Sequence, residues 1–128
     1  MGKKKATKHF NQTSFFESYP KDKWATFSYS LKKLIEETKG KQVIVLTIPT
    51  LKDVKLYQKN RKNTLSVKMN KFCKENIVHY IDLLPFFDTV KNPDELYVEC
   101  DGHWNEKGER LAADLILKHP IYQKVITF

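Results

Sequence analysis

The sequence predicts an α/β fold built on a parallel sheet, and three observations carry that prediction. Apolar residues recur at helical spacing in three separate segments. The run "QVIVLTIP" (42–49) is continuous and β-branched with no polar alternation, which suits a central parallel strand covered on both faces. Strand-like and helix-like segments alternate along the chain, the order that gives a parallel sheet with right-handed crossovers.

The first helix is expected after "YPKD". Asp22 is placed to cap it, and Phe27, Leu31, Leu34 and Ile35 fall at i, i+4, i+7 and i+8. Gly40 stops it. The "QVIVLTIP" strand follows and ends at Pro49, and then comes a polar stretch. "NTLSVKMNKFCKEN" (63–76) places Leu65, Met69, Phe72 and Cys73 on one helical face. "IVHYIDL" (77–83) reads as a second short strand, ended by "LPFFD". A loop through Asn92, Pro93 and Asp94 leads to "VECDGHWNEKGERLAADLI" (98–116), whose tail carries Leu111, Ala112, Leu115 and Ile116 at helical spacing with Asn105 as cap. "KVITF" (124–128) is a third strand candidate. Two strands do not make a stable sheet under three helices. Either the N-terminal stretch contributes more, or residues 9–128 are the back portion of a larger α/β domain, the reading favoured here.

With 128 residues, 41% of them hydrophobic, the chain can bury one core. Residues 1–8 are a lysine-rich, disordered or added end with no apolar segment behind it, so no secretory signal is expected. No apolar run is long enough to span a bilayer. The formal net charge of +8 raises nucleic acid as a partner, but the lysines are scattered, with clusters at Lys3–Lys5 and across 52–62, and no recognition motif accompanies them. Nucleic acid is therefore disfavoured. Cys73 and Cys100 form no metal-ligand pair, although a single bridge between them stays open. No metal, nucleotide or other cofactor is expected.

The stretch at 98–116 holds the most suggestive chemistry. A carboxylate holding one ring nitrogen of a histidine leaves the other free as a general base. Asp101 and His103 have that relation if the turn brings them together, and Gly102 between them permits a tight backbone. The loop also leads from a strand into a helix, where open α/β sheets place their ligands. The plain alternative has Asp101 capping a turn, Trp104 packed against the sheet edge and His103 at the surface.

"DGHWNEKGERLAADLI" resembles the last sequence block of the SGNH (GDSL-type) hydrolases. Asn105, Gly108 and Ala112–Ala113 match its continuation, and the resemblance covers roughly residues 22–117. It implies a flavodoxin-like three-layer fold, ester hydrolysis or acyl transfer, His103 as general base and Asp101 as its orienting carboxylate. Many members place the Asp three residues before the His, a position filled here by Cys100, so the Asp assignment is the looser one. The family's G-D-S nucleophile block is missing. Ser14, Ser18, Ser28, Ser30 and Ser66 are the serines, and none is expected at a strand end followed by a helix. The Gly and G-x-N-D blocks are missing too, with "HFNQ" (9–12) a degenerate candidate that would put Asn11 near the site.

By the same resemblance the substrate is an acyl ester, for instance an O-acetylated carbohydrate, and a homo-oligomer or a complementing segment would complete the site. Asp53 is a candidate for the same edge as His103. Residues 85–87 with Tyr97 and Trp104 are candidates for an apolar acyl pocket or for core packing. His9 and His119 carry no expected role, and His79 is expected as an ordinary strand residue. The competing function is a non-catalytic basic module that binds acidic glycan or nucleic acid.

Overall fold

The computed structural model describes residues 14–127. Helices α1 (Lys21–Glu37), α2 (Leu51–Asn60), α3 (Thr64–Glu75), α4 (Leu84–Phe87), α5 (Glu106–Lys118) and α6 (Pro120–Ile126) surround two strands, β1 (Ile44–Thr47) and β2 (His79–Asp82). The strands are parallel, in the register Ile44↔His79 to Thr47↔Asp82. The fold is therefore mixed α/β, with one two-stranded parallel sheet among the described residues.

The core is built where the periodicity places it. Leu65, Met69, Phe72 and Cys73 of α3 are all buried, and they meet Tyr80 and Ile81 of β2 with Leu83, Leu84 and Phe87 beyond it. β2 buries its two central residues, whereas all four residues of β1 are only half-buried. The expectation that β1 is covered on both faces is thus corrected. A lone partner strand leaves its apolar residues partly in water, and Ile48 beyond it is 57% exposed.

α1 also departs from expectation. Asp22 lies inside the helix, and Pro20 occupies the cap position without a side-chain bond. Proline fits there because its φ of −58° already suits the helix entrance. The helix seats Trp24, Leu31 and Ile35 against the core, while Phe27 and Leu34 are exposed. Trp24 meets Phe72 edge-on at 6.3 Å, and Tyr19 and Phe27 cluster around it. The stop is shared between two residues, since Lys39 and Gly40 both take positive φ.

Two segments change class. The polar stretch after Pro49 is α2, started by a capping box in which Thr50 Oγ1 accepts from the Asp53 amide and the Asp53 carboxylate accepts from the Thr50 amide. "KVITF" is not a strand. Pro120 opens α6 at its first turn, His119 Nδ1 accepts from the Ile121 amide at 3.2 Å, and the segment through Ile126 is helical. The basic end at 1–8, His9 and the Asn11 candidate lie outside the described residues. Cys73 and Cys100 are both free thiols, one buried and one exposed.

Candidate functional site

Because β1 and β2 are parallel, their C-terminal ends share one edge, and the chain from Pro93 to Asn105 is tied to that edge by named bonds. The Tyr97 hydroxyl donates to the Pro49 carbonyl at 2.8 Å, just past β1. Burial drives the Tyr97 phenol up to about 12, so it stays a donor. Asn105 holds the other side of the loop. Its Nδ2 donates to the carbonyls of Glu95 (2.8 Å) and Tyr97 (3.3 Å), and its amide donates to Leu96 O at 3.0 Å. Its Oδ1 meanwhile accepts from the Gly108 amide at 3.1 Å and so caps α5 as expected.

Gly108 explains the glycine of the helix-start pattern. A Cβ there would stand 2.2 Å from Leu96 O and 2.9 Å from Trp104 Cβ. Only a hydrogen fits, and the first turn of α5 is pressed against the loop that carries the site.

Between these anchors lies a tight turn. Tyr97 and Trp104 form an isolated antiparallel bridge, the Val98 amide donates to His103 O at 3.0 Å, and the Asp101 amide donates to Val98 O at 3.1 Å. The left-handed residue is Cys100, at φ 59°, not Gly102. A Cβ at Gly102 would meet nothing within 4 Å, so the turn does not use the freedom that glycine permits there. The tight conformation falls one residue earlier, on a side chain that pays about 1–2 kcal/mol for it.

The turn brings Asp101 and His103 together. His103 Nδ1 and Asp101 Oδ1 are in direct hydrogen-bond contact, and the His103 amide donates to the same oxygen at 3.1 Å. An ionised carboxylate only accepts, so Nδ1 carries the proton and Nε2 is left free. The His103 hydrogen bonds hold the Asp101 carboxyl below its usual range. Both groups are open to water, the His103 side chain at 87% exposure and that of Asp101 at 49%.

His103 faces a groove of about 520 Å³ that it shares with Ile48, Pro49, Thr50, Trp104 and Glu109. The remaining expected site residues are distributed elsewhere. The Asp53 carboxylate is occupied by the Ser14 hydroxyl and by the amide and hydroxyl of Thr50, so it does not serve His103. Phe87 and Tyr97 are buried core residues, Phe86 meets His119 instead, and Trp104 stacks on Phe87 at 5.1 Å. Phe86 lines a separate cavity of about 330 Å³ with Leu111, Leu115 and Pro120. Of 85–87, Tyr97 and Trp104, only Trp104 reaches the His103 groove. His79 is a half-buried strand residue paired in register with Ile44.

The serines lie away from the His103 groove. Ser14 is buried on Asp53, Ser28 and Ser30 bond back to their own helix, Ser66 accepts from Asn70, and none of the five lines the His103 groove. The hydroxyl that does stand at a strand end before a helix is that of Thr50, which sequence reasoning passed over by considering serines only. Its Oγ1 accepts from the Asp53 amide at 3.4 Å as the cap of α2 and donates to the Asp53 carboxylate at 2.8 Å. Comparison of the chain with protein-family models and curated proteins, and of its structure with solved structures, finds no match. Among the described residues no group of His, Cys, Asp and Glu is placed to hold a metal, and no helix is long and apolar enough to cross a membrane.

Proposed function

We propose that this chain carries the Asp–His half of an acyl-transfer site of the SGNH-hydrolase kind, acting on ester bonds such as those of O-acetylated carbohydrate. The observation that carries the reading is the Asp101–His103 contact through Nδ1, held at the C-terminal edge of two parallel strands, with His103 lining a groove. Nε2 accepts the proton of an attacking hydroxyl, and the oxygen adds to the ester carbonyl. The imidazolium then returns that proton to the departing alkoxide. Asp101 orients the ring and stabilises the imidazolium. The hydroxyl comes from a complementing segment or a second copy of the chain, or from water in a slow reaction, because no serine lines the groove.

The same proposal extends to the fold. β1 is wholly apolar at Ile44–Leu46 yet half-buried, and Ile48 is exposed, which suits a strand that gains another neighbour in a wider, flavodoxin-like three-layer sheet.

The test is p-nitrophenyl acetate cleavage by the full chain. The other histidines act as internal controls for the intrinsic reactivity of imidazole. His103→Ala is expected to remove most of the rate above buffer, Asp101→Asn to lower it at least several-fold, and His79→Gln and His119→Gln to leave it unchanged. Equal contributions from all these histidines would sink the reading.

A further inference from the structure

The Asp101–Trp104 turn faces a second groove that meets the first at Gly102. Its volume is about 630 Å³, and its far wall is α2 from Leu51 to Lys59. Lys52, Lys55 and Lys59 line it at i, i+3 and i+7, the spacing that puts three side chains along one helix face. From Lys52 to Lys59 the helix rises roughly 10 Å, so the ammonium groups form a row rather than a cluster. All three residues are exposed. Lys55 is paired with Asp94 at 2.7 Å, and neither Lys52 nor Lys59 makes an ion pair among the described residues. The carboxylate of this groove, Asp101, is already engaged by His103, and Glu109 lines the adjoining groove beside His103. Leu51 and Leu56 supply apolar surface between the lysines.

A row of point charges beside a general base reads repeated negative charge on a chain whose ester lies at the base. We infer that this groove binds an ester-bearing glycan that carries carboxylates, with Lys52 and Lys59 as its specificity-determining residues. The inference rests on the reading of Asp101 and His103 as an acyl site. A glycan is favoured over nucleic acid because no aromatic ring lines the lysine groove to stack bases, and Trp104 in the adjoining groove already has a face against Phe87. Lysine, without the planar fork of arginine, matches scattered single carboxylates as well as phosphate.

The experiment is fluorescence anisotropy of a labelled oligogalacturonate with the full chain, alongside its fully methyl-esterified counterpart and a labelled oligothymidylate. Saturable binding of the acidic glycan is expected, weakening steeply with salt. The Lys52→Gln/Lys59→Gln double variant is expected to lose at least tenfold in affinity and to flatten the salt dependence. Lys74→Gln/Lys124→Gln, two exposed lysines outside both grooves, is expected to bind as the natural chain does. Lys52 and Lys59 are exposed, so circular dichroism of their double variant is expected to match the parent. The inference is overturned by no saturable binding, by equal binding of the methyl-esterified chain, by an unchanged Kd in the Lys52→Gln/Lys59→Gln variant, or by tighter binding of the oligothymidylate. The acyl-site reading fails separately: ester cleavage insensitive to His103, with charge-dependent glycan binding intact, removes the hydrolase and leaves the groove.

Discussion

The α3–β2–α4 unit and the Val98–Trp104 turn are held by opposite means. The first is apolar burial: Met69, Ile81, Leu83, Leu84 and Phe87 are all nearly or wholly inaccessible. The second contains no buried side chain, carries one left-handed residue, and is fastened at its ends by Tyr97, Asn105 and Gly108 and by Trp104 stacked on Phe87. Stability resides in the unit where area is removed from water. The exposed chemistry is placed on a segment that contributes little of it, and is positioned by steric and polar contacts whose failure need not unfold the chain.

The largest expected effect lies in the first region. Phe87→Ala removes a wholly buried ring and the stacking partner of Trp104, at a cost of about 3–5 kcal/mol, read as a lowered urea midpoint with an unchanged slope. Gly108→Ala sharpens the contrast, because two effects oppose each other there. Alanine favours a helix interior over glycine by about 1 kcal/mol, but its methyl collides with the Leu96 carbonyl, and overpacking of this kind costs typically 1–3 kcal/mol. The collision is expected to win in part by displacing the turn, so ring resonances of His103 shift along with a modest loss of stability. Gly102→Ala, with open space around it, is the control and is expected to stay within about 0.5 kcal/mol. Stabilisation by Gly108→Ala with an unmoved His103 would break the argument.

The smallest effect is a pH dependence. The Asp101 carboxyl is held low by His103, so its folded value lies below its unfolded one. The contribution to stability is therefore present above the usual carboxylate range and is lost as pH falls through the depressed folded value. Exposure keeps it small. Denaturation midpoints of the natural chain and of Asp101→Asn are expected to differ slightly near neutrality and to converge in acid. A gap that widens below the carboxylate range would reverse the assigned sign.

The core of α3 was legible because four apolar residues at 3.6-residue spacing admit few other readings, and the Asn105 cap because an acceptor three residues before a buried glycine amide is a local event. α2 was hidden by its lysines. Its signal was the Thr50–Asp53 capping box, with Leu51, Val54 and Tyr57 as a thin apolar face behind it. The ending of the chain misled in the other direction: β-branched Val125 and Ile126 suggest a strand, yet Pro120 and the His119 cap determine the local structure. At the site, the Asp101–His103 pairing follows from their separation once the turn is tight. That Cys100 takes the left-handed conformation follows from no residue preference. It is imposed by the Tyr97–Trp104 bridge that closes the loop.

The two thiols give the molecule a built-in means of observation. Burial pushes Cys73 up to about 11, keeping it protonated and shielded, whereas Cys100 stands in the open one residue before Asp101. A maleimide dye at neutral pH is thereby directed to a single position, next in the chain to Asp101 of the lysine groove. Its emission reports arrivals there without the insertion of any foreign residue.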